Sequence, residues 1–201
     1  MNKKLGSIIL NSLIVIFEII GLIVVMKTNN HISIEYYTED SNILALFSSL
    51  IYVGFLLLKG HVPKWGKILK YTTTVCLAVT FLVVIFVLAP MYNFDYNYLL
   101  FKDGLLYQHL ICPVLCFITF FLFDDMDKLT LKDNFLSLSL TLVYGFILII
   151  LNILDIVKGP YPFLMVKEQS ILVSCMWFII IDSLAFVIAL VLRILKNKLI
   201  K

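Results

Sequence analysis

Charge is what this sequence has least of. Asp, Glu, Lys and Arg make up 14% of its 201 residues while 62% are apolar, against roughly 25% charged and 45–50% apolar in a soluble domain. With a mean hydropathy of +1.03, that deficit excludes a soluble globular fold. Glycine and proline are also scarce, at 8 and 5. No stretch rich in them divides the chain, so residues 1–201 read as one membrane domain without a soluble appendage. The four cysteines, Cys76, Cys112, Cys116 and Cys175, lie within apolar runs, where they behave as small apolar side chains and imply no disulfide framework. A net charge of +3 is small enough that basic loops on a membrane surface explain it, and no nucleic acid is called for.

What is present is a set of long apolar runs. Crossing a hydrocarbon core of about 30 Å takes about 20 mostly apolar helical residues. Six runs qualify: 5–26, 41–58, 68–90, 105–123, 135–157 and 170–194. The expected fold class is therefore all-α, a polytopic bundle of six transmembrane helices. The first run exceeds the apolar core of a secretory signal and no small-residue cleavage pattern follows it, so it reads as a retained span. Placing the N-terminus inside leaves only Lys27, Lys102, Lys158 and Lys167 of the 16 basic residues outside, which by the positive-inside rule predicts that both termini are cytoplasmic.

In this topology the inner loops are plain. Asp124–Asp133 reads as a solvated, mixed-charge connector. The outer loops Lys27–Asp40, Met91–Gly104 and Lys158–Gln169 are rich in aromatics, including Tyr36, Tyr37, Tyr161 and Phe163. An interfacial aromatic belt explains most of these.

Ionisable groups inside a bilayer are costly, so each one marks a candidate site. His109 is the one histidine within a run and lies about 7 Å below the outer end of span four. Thr38 and Asn42 lie at the outer start of span two, at a matching depth. Thr38 also reads as an ordinary helix N-cap, with Glu39 and Asp40 suited to the positive helix end. His109 also reads as a histidine bonded to a neighbouring helix. The spacing His109, Cys112, Cys116 shares one helical stripe, but with no further thiol or imidazole close in sequence neither a metal nor another cofactor is expected. Asn152 and Asp155 lie near the outer end of span five, and Asp155 is placed to orient His109 as a carboxylate does in a catalytic triad. Glu18 and Asp182, deep in spans one and six, keep open a different class of function: a transporter, channel or structural membrane protein in which Glu18, Asp155 and Asp182 line a polar path.

Three segments carry a family resemblance: Tyr37-Thr38 followed by Ser41-Asn42-Ile43-Leu44, His109 followed by Pro113, and Tyr161-Pro162-Phe163-Leu164. In order and membrane depth the chain resembles the six-span androgen-induced gene family, which includes the androgen-dependent regulator of the tissue-factor pathway inhibitor and has bacterial relatives. The resemblance implies an intramembrane threonine hydrolase that cleaves fatty acid esters of hydroxy fatty acids. It implies Thr38 as nucleophile and His109 as base, near the outer leaflet of what would be a bacterial plasma membrane. Membrane lipids and a lipid-ester substrate would be its partners. The exposed N–H groups opening span two, with the Asn42 amide, are the candidate oxyanion donors; Ser41, Asn152 and Asp155 support or orient, and Tyr37, Tyr161 and Phe163 line the substrate. A second six-span group, the transmembrane acyltransferase-like proteins, is similar in outline and would make Cys112 or another span thiol the reacting atom.

Overall fold

The structure, a computed structural model, describes residues 2–200; Met1 and Lys201, the latter counted above among the inner-face basic residues, lie outside it. The described residues form helices and connecting turns, with no strand among them. Five helices are long and apolar enough to cross a membrane: α1 Lys3–Asn29, α2 Tyr37–Leu58, α3 Lys64–Met91, α5 Leu131–Ile153 and α6 Ile171–Leu199. The remaining apolar helix, α4 Leu106–Leu122, falls short of that length. The chain is thus a helical membrane protein, and its fourth predicted run is the one that departs from the expected length.

Local chemistry sets the helix ends. The Asn2 side chain accepts from the Lys4 N–H to start α1, and Asn30 ends it in the left-handed region with φ 62°. Thr130 and Asp133 form a reciprocal capping box at the start of α5, and Ser170 caps α6 through the Val173 N–H. Proline reshapes two other helices. Pro113 has no N–H to give the His109 carbonyl, and Pro90 none for Phe86; immediately upstream of each, the chain widens into π-helical turns at Leu106–Ile111 and Val84–Leu88. The turn that carries His109 ends two residues before Pro113.

α3 is the central helix, with Tyr71, Val75, Cys76, Leu77 and Ala78 fully buried. It packs against α2, α4, α5 and α6, while α1 closes the other side against α2 and α4. α6 is the least enclosed and exposes Met176, Ile179, Ile180 and Val187; α1 does the same with Ile9, Ile16 and Ile23. Apolar outward faces around a partly polar interior are what a bilayer solvent selects, since lipid offers hydrocarbon no penalty and polar groups no partner.

Asp124 corrects one expectation. Instead of being solvated it is buried at the end of α4, where its Oδ1 accepts from Ser7 (2.6 Å), Asn11 (2.9 Å) and Thr119 (2.9 Å). Asp125 and Asp127, its neighbours in sequence, face outward and pair with Lys67. Asp124→Ala strands the Ser7 and Thr119 hydroxyls in the core, while the Asn11 amide keeps the Ser7 carbonyl as acceptor, and we expect it to destabilise the fold by on the order of 3 kcal/mol. Asp124→Asn keeps an acceptor and costs less; chemical denaturation in detergent checks the ranking.

Candidate active site

Thr38 sits in the first turn of α2. That helix begins at Tyr37 rather than Ser41, and its N-cap position, Tyr36, makes no side-chain cap bond. The capping reading of Thr38 therefore does not hold. Its hydroxyl instead lies 3.1 Å from His109 Nε2 on α4. The other ring nitrogen, Nδ1, is 2.6 Å from the Leu99 carbonyl. A carbonyl only accepts, so Nδ1 carries the proton and Nε2 presents a lone pair to the Thr38 O–H. Both residues are buried, and His109 has no ring nitrogen left for a metal.

Leu99 belongs to a short π-helical turn, Asn97–Phe101, inside the loop preceding α4. It does the work the sequence assigns to Asp155. Asp155 lies past the end of α5 at φ 59° and pairs with Lys167 on an exposed surface. Asn152 likewise turns away from the site, donating to the Val157 carbonyl at 3.1 Å and closing its own loop. Neither residue joins His109.

Asn42 and Ser41 are close to Thr38 but are committed elsewhere. The Asn42 amide donates to the Thr38 carbonyl (2.7 Å) and the Gln108 carbonyl (3.2 Å), which uses both its hydrogens and ties α2 to α4. Ser41 bonds to the Thr38 carbonyl (3.0 Å) and to Thr80 on α3 (2.9 Å). The Gln108 side-chain amide adds a further tie to Glu39 at 2.7 Å. These bonds hold the threonine; none aims a spare donor at its hydroxyl.

The group that does face it is Tyr161. Its hydroxyl is 3.4 Å from Thr38 Oγ1 and accepts from the Thr38 N–H at the same distance. Burial pushes the Tyr161 phenol up to about 12, so it keeps its proton at neutral pH. The ring stacks on Phe163 with centroids 5.1 Å apart, and Phe163 leans on Trp177. Tyr37 anchors the same wall: its hydroxyl meets Thr141 at 2.8 Å, and its N–H donates to Tyr144.

Below these rings a narrow cleft of about 60 Å³ runs between α3, α5 and α6, partly open to its surroundings, with Thr38 and Tyr161 at one end. Val79, Val83, Leu88, Ile149 and Phe178 give it a hydrocarbon surface. Asp182 also lines it, whereas Glu18 is fully buried with neither oxygen partnered and Asp155 is at the surface. The structure does not gather these three acids. Cys112 and Cys116 are buried and stay outside the cleft lining.

Sequence reading missed Leu99, because a main-chain carbonyl leaves no mark in residue type. It also missed Tyr144 and Thr141, for which the only signal was a hydroxyl in an apolar run. Compared with known protein families, with curated proteins and with solved structures, the chain matches none.

Proposed function

We propose that this chain is a six-span membrane protein with both termini inside, and that it hydrolyses lipid esters in the outer leaflet, with Thr38 as nucleophile and His109 as base. A bacterial plasma membrane and substrates of the fatty acid ester of hydroxy fatty acid type follow from the resemblance given above. The observation that carries the reading is the 3.1 Å contact between Thr38 Oγ1 and His109 Nε2 at the head of an apolar cleft. A threonine hydroxyl is a weak nucleophile until a base within hydrogen-bond reach takes its proton.

In the proposed cycle His109 Nε2 takes the Thr38 proton as Oγ1 attacks the ester carbonyl. The tetrahedral oxyanion collapses, the alkoxide leaves with the proton held on His109, and the acyl group remains on Thr38. Water then attacks that acyl ester, giving its proton to His109, and the carboxylic acid departs as Thr38 regains its hydrogen. The Leu99 carbonyl holds the imidazole in its working tautomer throughout. With the Asn42 amide occupied and the Thr38 N–H given to the Tyr161 oxygen, the Tyr161 O–H is the donor nearest to where negative charge develops.

Tyr161→Phe keeps the ring stack and removes one donor together with the acceptor of the long Thr38 N–H bond, so kcat should fall about 10²-fold while thermal stability falls only slightly. Steady-state kinetics on a fluorogenic long-chain ester check this. The reading as a whole is tested by turnover of that ester by purified protein, with intact-mass detection of an acyl adduct on Thr38. Inactivity toward a panel of lipid esters would sink it. The transport reading draws its support from Glu18, a buried carboxyl without a partner; gradient-driven uptake into proteoliposomes that survives Thr38→Ala is its test.

A further inference from the structure

The cleft below Thr38 is not apolar throughout. α6 lines it with Ser174, Trp177, Phe178, Ile181 and Asp182, a spacing that makes one stripe along the helix. Two polar atoms of that stripe, Ser174 Oγ and Asp182 Oδ2, are shut off from solvent and have no hydrogen-bond partner. Their positions differ by eight residues, about 12 Å along the helix axis. Ser174 is near the outer end, beside Tyr161 and Phe163, and Asp182 is well down the cleft.

A cleft built only for hydrocarbon would do better with leucine at position 182. A buried acceptor without a donor weakens the fold, and an acidic side chain within a membrane helix persists where something pairs with it. Among the described residues no such partner reaches Asp182 Oδ2. The missing donor therefore belongs to whatever fills the cleft.

We propose that Asp182 is a specificity residue, and that the cleft takes an acyl chain bearing a free hydrogen-bond donor, a hydroxyl or an amine, part-way along its length. This donor is separate from the oxygen of the scissile ester. The inference rests on the hydrolase reading for the nature of the occupant, with the ester at Thr38 and the chain running down α6. Specificity then comes from leaving Asp182 unpaired when a plain chain binds, since a site built for a donor rejects the analogue lacking it more strongly than an apolar pocket rejects an extra group.

The test uses the Thr38→Ala protein, which binds without turning over. A photoactivatable fatty acyl probe is crosslinked to the cleft, and methyl octadecanoate, its mid-chain hydroxy derivative and its mid-chain amino derivative compete with it. A donor-bearing chain should compete about 10-fold better than the plain one. Asp182→Leu should reduce that advantage to below about 2-fold, while Asp182→Asn, still an acceptor, keeps it for the hydroxyl and loses it for the amine. Size-exclusion profiles and the Asn variant separate lost recognition from lost folding. Equal competition by all three chains, an advantage untouched by Asp182→Leu, or no labelling of the cleft would each overturn the proposal. Because nothing is hydrolysed, an inactive wild type with the preference intact removes the hydrolase reading alone; an active wild type without it removes only the role of Asp182.

Discussion

Thr38→Ala should abolish ester hydrolysis, lowering kcat/KM by on the order of 10⁴-fold or more, as removal of a covalent nucleophile does elsewhere. The substitution takes away the atom that is acylated and leaves the surrounding ties in place: the Thr38 carbonyl still accepts from Asn42 and Ser41, and its N–H still reaches Tyr161. Loss of activity with only a small drop in melting temperature, from the His109 Nε2 left without its donor, is therefore the expected pair of results. His109→Ala should cost about 10²–10⁴-fold, the usual share of a positioned base. The double variant should be no worse than the more damaging single one, since base and nucleophile act in the same step. Thr38→Ser restores a hydroxyl at the same place and should recover acylation. A Thr38→Ala protein that still turned over the ester, or an adduct found on Cys112, would end the threonine reading.

Gly159→Ala should disable the site from a distance. A Cβ at Gly159 would run into the Leu164 carbonyl oxygen and lie 2.5 Å from the Leu164 carbonyl carbon and 2.7 Å from the Met165 nitrogen. These are backbone atoms and cannot swing aside as a flexible side chain would. The turn at Pro162–Leu164 has to move, and with it go Tyr161, 3.4 Å from Thr38, and Phe163, which stacks on it. We expect at least the 10²-fold loss predicted for Tyr161→Phe, because the hydroxyl and the ring are displaced together. Global stability should fall as well, since Tyr161, Phe163 and Leu164 belong to the buried core, so activity is compared per folded molecule after size-exclusion chromatography. Gly54→Ala is the matched control. Nothing lies within 4 Å of a Cβ there, and alanine inside a helix is favoured by about 1 kcal/mol. That variant should be slightly more stable and fully active. Equal activity in both glycine variants would mean that Tyr161 has no part in the reaction.

The all-helical architecture and the places of the apolar runs were legible in the sequence. So were the residues worth watching near the starts of α2 and α4, because polar groups within apolar runs are rare enough to stand out singly. Errors clustered where a residue's role depends on direction. Asp155 had the right chemistry to orient His109, yet α5 ends at Ile153 and the chain turns it outward to Lys167. Asn42 had the right amide, but its hydrogens are spent on two carbonyls. Asp124 looked solvated and is a buried hub of three donors.

By itself, then, the sequence determined that this is a membrane protein of long apolar helices, because a helix satisfies its backbone within one segment and hydrophobicity along that segment is enough to place it. Which side chains meet was decided by tertiary structure alone. Thr38 and His109 are 71 residues apart in the chain, and each residue turns a helix by about 100°. The π-helical turn before Pro113 widens the spiral and resets the phase of every residue it carries. That shift brings the His109 ring between the Thr38 hydroxyl and the Leu99 carbonyl. The cleft beneath them exists only where α3, α5 and α6 come together.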